Sequence, residues 1–252
     1  MAERHVEVYD DADRLAAEVC AQLVATLSRA QQQFGRAALA LTAGSIMEKV
    51  WSALAASDRD AVDWSRVDVF WGDERFVDAG SSDRNDVPFR RILLDNEPFS
   101  AARHFPMPAA DGEFGSDLDA AAAAYARTLD EQRRPSDSGS VPSFDVVLLG
   151  VGPDGHCCSL FPGHPGTQDE SAAVIPVRNS PKPPPLRMSL SFDGLNTARE
   201  IWVVVSGSGK AEATAKALAP GTSRVDVPSA GAQGTERTVW LLDRDAAAQL
   251  PS

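Results

Sequence analysis

Val146-Val147-Leu148-Leu149-Gly150-Val151-Gly152-Pro153-Asp154-Gly155-His156 joins an apolar run of β-formers to a glycine-rich turn. So short an apolar run, bounded by turn residues, predicts a strand buried on both faces, as in a parallel sheet. The glycines after it predict a loop at the strand's carboxyl end, where open α/β sheets hold their ligands. Gly150, Gly152 and Gly155 are expected to allow positive φ and a close backbone approach to a ligand. Asp154 and His156, two residues apart, pair a carboxylate with an imidazole, which suits proton transfer. The alternative is a helix-entry turn whose histidine only caps or packs.

The pattern repeats on either side of this stretch. Val6, Val8 and Tyr9 predict an opening strand, and Ala16, Val19, Cys20, Leu23, Val24 and Leu27 fall on one helix face after it. Ala37 to Leu41 predicts a strand, then a Thr42-Ala43-Gly44-Ser45 turn and a helix from Ile46 to about Ala56. Free N–H groups at such a helix start, at Gly44 and Ser45, can bind an anion. Val67 to Trp71 predicts a third strand, and Asp73, Glu74 and Arg75 crowd charge at its end. A turn and cap at Ser82 to Asp86 would open a helix from Val87 to Leu94. Ser116 with Asp119 would cap another running to about Arg134.

Further strands are expected at Ala173 to Val177 and Ile201 to Val205, with Thr238 to Leu242 closing the sheet. Arg178 to Arg187 contains four prolines, which make a stiff loop able to hold Lys182 and Arg187 in place; a surface linker is the alternative. Ser206-Gly207-Ser208-Gly209-Lys210 leads into one more helix, with an ammonium near its start. The expected fold class is α/β: a single Rossmann-like domain over residues 1–252, its mostly parallel β-sheet flanked by helices on both faces.

Composition narrows the partners. The chain has 252 residues, 43% hydrophobic and 24% charged, with a net charge of −12. So acidic a chain argues against nucleic acid, and it requires a local cluster of basic groups to bind any phosphate. Three cysteines, two of them adjacent, form no disulfide framework, so a reducing compartment is expected. The charged amino terminus carries no apolar signal region, and no apolar run approaches the roughly 20 residues of a membrane helix. Together these predict a cytoplasmic protein with no membrane partner; a monomer is expected, with an oligomer as the alternative.

Several chemistries lack their residues. No GxSxG elbow and no HExxH are present. His156, Cys157 and Cys158 are adjacent, which is poor spacing for one tetrahedral zinc ion, and no metal site is expected. Gly150 to Gly155 matches the GxGxxG spacing but has no acidic partner on a following strand, which weakens a dinucleotide site. A Walker A loop fails at Lys210, because Val204 stands where its first glycine belongs and Ala211 follows the lysine.

Gly150 to His164 resembles the signature loop of the 6-phosphogluconolactonases. Trp71-Gly72-Asp73-Glu74-Arg75 resembles that family's second motif, and Ser180-Pro181-Lys182-Pro183-Pro184-Pro185-Leu186-Arg187 its third; the three stand in the family's order across nearly the whole chain. The resemblance implies a fold shared with glucosamine-6-phosphate deaminases. It implies hydrolysis of 6-phospho-D-glucono-1,5-lactone to 6-phosphogluconate without metal or nucleotide cofactor. It also implies that His156 is the general base, oriented by Asp154, and that Arg75, Lys182 and Arg187 hold the phosphate. Gly44, Ser45, Asp73 and Gly155 complete the expected substrate contacts. The first loop departs from the family, with Ala43 for a glycine and Ile46 and Met47 for polar or helix-starting residues, which leaves the roles of Thr42 and Ser45 open. Two other readings stand beside the lactonase: a sugar-phosphate isomerase or deaminase of the same fold, and a non-catalytic sugar-phosphate sensor.

Overall fold

The computed structural model describes residues 4–57, 60–169 and 172–251, so Met1, Ala2 and Glu3 of the charged amino terminus lie outside the described residues. The strands are β1 (Arg4–Tyr9), β2 (Ala37–Leu41), β3 (Val67–Trp71), β4 (Asp73–Arg75), β5 (Arg103–His104), β6 (Val146–Leu149), β7 (Val174–Val177), β8 (Arg187–Leu190), β9 (Glu200–Val205) and β10 (Arg237–Asp243). The helices are α1 (Ala12–Phe34), α2 (Ser45–Ala56), α3 (Asp86–Phe89), α4 (Leu118–Glu131), α5 (Phe192–Leu195) and α6 (Ala211–Leu218).

Seven strands form one parallel sheet in the order β1-β10-β9-β6-β2-β3-β5. Every residue of β2, β3 and β6 is buried, so both faces of the sheet centre are covered. The interior holds four fully buried tryptophans, Trp51, Trp71, Trp202 and Trp240. α1 buries Leu15, Val19, Leu23 and Leu27 along one face, and Asp11 caps its start by accepting from the Arg14 N–H. At about 1.5–3 kcal/mol per buried leucine-class side chain against about 1 kcal/mol for a cap, burial holds this helix.

Side chains tie the layers together. Asp145 accepts from the Ala38 N–H at 2.7 Å and pairs with Arg134, which fixes β6 against β2 and the end of α4. The Tyr125 hydroxyl of α4 accepts from the Trp71 N–H at 2.8 Å, at the last residue of β3.

Several expectations need correction. Asp117, not Ser116, caps α4, and that helix stops at Glu131 because the chain then turns at Gln132. The helix expected from Val87 to Leu94 is the short α3 followed by a wider π-type turn over Arg90–Leu94. β10 is last in sequence but lies inside the sheet, between β1 and β9. The largest departure is a second, antiparallel sheet, β4-β8-β7. It takes in Asp73 to Arg75 and makes Arg187 the first residue of a strand rather than the end of a loop.

Candidate active site

β6 lies mid-sheet with β9 on one side and β2 then β3 on the other. The loops leaving the carboxyl ends of these four strands surround one cavity of about 280 Å³. Its wall includes Thr42 to Ile46 after β2, Asp73 and Arg75 after β3, Gly150 to Pro153 and His156 after β6, and Ser206 and Lys210 after β9. Lys182 of the proline loop and Arg187 at the start of β8 close it.

His156 Nδ1 lies 2.5 Å from Asp154 Oδ1. Burial raises the Asp154 carboxyl, but the His156 hydrogen bond and the charges of His156 and Lys182 outweigh it and hold the group well below the usual carboxylate range. An ionised Asp154 makes Nδ1 the protonated nitrogen and leaves Nε2 as the proton acceptor. The imidazole packs against Phe161, with ring centroids 4.7 Å apart. Gly152 makes this seat possible: a Cβ there would lie 2.0 Å from the imidazole Nδ1 and Cε1. Of the three loop glycines expected to take positive φ, Gly155 does so, at 86°, and Gly150 and Gly152 do not. Gly155 is buried behind the loop, facing Val227 and accepting from the Ser229 N–H, away from the cavity wall.

Lys182 reaches the same dyad, its Nζ 3.2 Å from Asp154 Oδ1 and 3.2 Å from His156 Nδ1. With Nδ1–H committed to Asp154, the second approach is electrostatic. Lys182 therefore stands at the base rather than at a distance from it.

The antiparallel sheet explains the other wall. Asp73 pairs with Ser189 and Arg75 with Arg187, so alternation puts these four on one face and Glu74 with Met188 on the other. Asp73 accepts from the Ser159 hydroxyl at 2.7 Å and from the Asn85 amide at 3.2 Å. Arg187 is 4% exposed, and its guanidinium donates to the carbonyls of Lys182, Pro183 and Pro184. Burial and the Arg75 charge lower its pKa against the pull of Asp73. Its N–H groups thus brace the proline loop.

Glu74 lies beneath, fully buried, accepting from the N–H groups of Arg75, Asn85 and Asp86. Burial pushes it up to about 7, against the Arg84 charge at 3.6 Å and these donors.

Two more groups line the cavity that the motifs did not single out as site residues, Asn85 and Lys210. Lys210 sits where Asp243 of β10 grips the turn after β9, accepting from Ser206 Oγ and the Gly207 N–H. Burial and the Lys182 charge lower its pKa, against the pull of Asp154. Thr42 links the β2 and β6 loops, donating to the Leu148 carbonyl and accepting from the Gly150 N–H. At the start of α2, Gly44 offers no side-chain cap, and Gly44 and Ser45 are exposed on the cavity wall. Cys157 and Cys158 are buried, which pushes the Cys157 thiol up to about 12 and Cys158 well above its ordinary value. They are protonated packing groups. Among the described residues, no three His, Cys, Asp or Glu side chains cluster to hold a metal ion.

A family model described as glucosamine-6-phosphate isomerases/6-phosphogluconolactonase matches residues 10–240. The chain belongs to this family. A Streptomyces coelicolor protein named 6-phosphogluconolactonase is 47% identical over 245 residues, covering 97% of this chain and 94% of its own. A Mycobacterium tuberculosis 6-phosphogluconolactonase is 44% identical over 247 residues, covering 98% of each. The solved 6-phosphogluconolactonase of Trypanosoma brucei superposes with a TM-score of 0.84 at 27% identity over the full length of both chains. Family membership accounts for the shared frame of the isomerases and lactonases, and the dyad and its cations lie at the strand ends of that frame.

Proposed function

We infer that the chain is a 6-phosphogluconolactonase, which hydrolyses 6-phospho-D-glucono-1,5-lactone to 6-phospho-D-gluconate in the pentose phosphate pathway. The observation that carries the chemistry is the Asp154–His156 contact of 2.5 Å beside a cavity ringed by cations. A lactone is an activated ester, so orientation, a base and charge stabilisation are enough to hydrolyse it.

His156 Nε2 takes a proton from water as the water oxygen attacks C1. The carbonyl becomes a tetrahedral oxyanion, for which the Lys182 ammonium is the cation beside the dyad. Collapse of the oxyanion breaks the bond from C1 to the ring oxygen. The imidazolium returns its proton to that oxygen, and the new carboxylic acid ionises to water. Asp154 holds the tautomer and stabilises the imidazolium.

The phosphate takes the helix start at Gly44 and Ser45, with Lys210 as its cation. Among the described residues the side-chain ammonium of Lys210 has no hydrogen-bond or ion-pair partner, although the residue lines the cavity. An ammonium half-withdrawn from water without a partner favours an anionic ligand. Arg75 adds a second cation, and Arg187 acts by bracing the loop that carries Lys182. Three buried free cysteines fit a reducing, cytoplasmic setting.

The test is decay of freshly generated 6-phosphogluconolactone with and without the protein, beside ammonia release from glucosamine 6-phosphate. Acceleration over spontaneous hydrolysis without ammonia release is expected. Ammonia release, or decay at the spontaneous rate, overturns the reading.

A further inference from the structure

Asn85 is 3% exposed and lines the cavity. Its backbone N–H donates to Glu74, and its Nδ2 donates to the Asp73 main-chain carbonyl at 2.9 Å and to Asp73 Oδ1 at 3.2 Å. Both partners are acceptors, so the amide cannot be turned over, and Oδ1 is fixed as the remaining face. Among the described residues that oxygen is buried without any hydrogen-bond partner. Arg75, also on the cavity wall, is its counterpart. Arg75 Nη1 donates to the Asp83 carbonyl, but its Nε is buried without an acceptor.

One orphaned acceptor and one orphaned donor thus belong to neighbouring segments of the same wall, both tethered to Glu74. A phosphate group can answer Arg75 but has only acceptors to offer Asn85. A hydroxyl both donates and accepts, so it answers either atom. Resting on the lactonase reading above, we propose that Asn85 is a specificity-determining residue, its Oδ1 accepting a hydrogen bond from a ring hydroxyl of the sugar lactone. Arg75 Nε donates to an oxygen of the same substrate. A pocket acceptor that is already buried discriminates strongly against a ligand lacking the hydroxyl, because it then stays unpaired.

The experiment measures kcat/KM for 6-phosphogluconolactone and for its 2-, 3- and 4-deoxy analogues, with the wild type and Asn85→Ala. The wild type should prefer the parent over at least one analogue by about 10-fold or more, and Asn85→Ala should shrink that ratio to within about threefold. The ratio separates recognition from structure, because a merely loosened Asp73 lowers all four substrates together. Asp73→Asn should lower activity yet keep the preference. If Asn85→Ala fails to fold, Asn85→Ser carries the same comparison. A ratio unchanged in a folded Asn85 variant overturns the proposal, whereas a wild type inert on the parent lactone overturns the lactonase reading instead.

Discussion

At the residue scale, the site depends on where one imidazole can lie. His156 leans across the first turn of its own loop, and Gly152 is the residue it leans over. Gly152→Ala would set a methyl group 2.0 Å from the ring and 2.5 Å from Asp154 Oδ1. The backbone there tolerates alanine, so the protein should fold while the dyad moves aside. A displacement of about 1 Å at a reacting group costs roughly 10²-fold in rate. The expected outcome is a kcat lowered by that order with an unchanged melting transition; full activity would show that the His156 position has slack. His156, Asp154, Lys182 and Arg75 were legible because each stands in a short charged motif after a strand. Asn85 was not, since its value lies in an oxygen left unpaired by hydrogen bonds to Asp73, which no sequence pattern displays. Lys210 gave a partial signal as an ammonium at a glycine-rich helix start.

At the element scale, β4, β8 and β7 do what the large sheet cannot. They turn the chain back over the strand ends and alternate Asp73 and Arg75 toward the cavity with Glu74 toward the core. β4 has three residues, all charged, and β5 has two, so neither carries a readable period. The parallel strands were readable because burial on both faces leaves continuous apolar runs.

β5 also carries a titrating group. His104 Nε2 accepts from Trp71 Nε1 at 2.8 Å, and burial lowers its pKa from 6.5 to about 4, with Arg90 and Arg84 adding to the shift against Asp86. The unfolded chain binds this proton first, so stability is full above about pH 6.5 and declines as pH falls toward 4. Between pH 8 and pH 5 the loss from this group is about 2 kcal/mol. His104→Gln keeps an acceptor for Trp71 without the titration. Urea denaturation at the two pH values should show a smaller acid loss for the variant by about that amount; equal losses would remove His104 as the cause.

At the scale of the whole molecule, a chain of net charge −12 binds an anionic substrate by concentrating cations at one place. Loops from four neighbouring strands and the proline segment bring Lys182, Lys210, Arg75 and Arg187 around a single cavity. The global field opposes the substrate, so the local geometry must supply the attraction. The fold class was legible from the alternation of apolar strands with amphipathic helices; the second sheet and the placement of the four cations around one cavity were set by tertiary contacts.

The central claim is that His156 is the base. Decay of freshly generated 6-phosphogluconolactone, followed with wild type, His156→Ala and no protein, tests it most directly. The dyad predicts a kcat lower by roughly 10²-fold or more in the variant, with a smaller change in KM. A folded His156→Ala protein turning over lactone near the wild-type rate would contradict it.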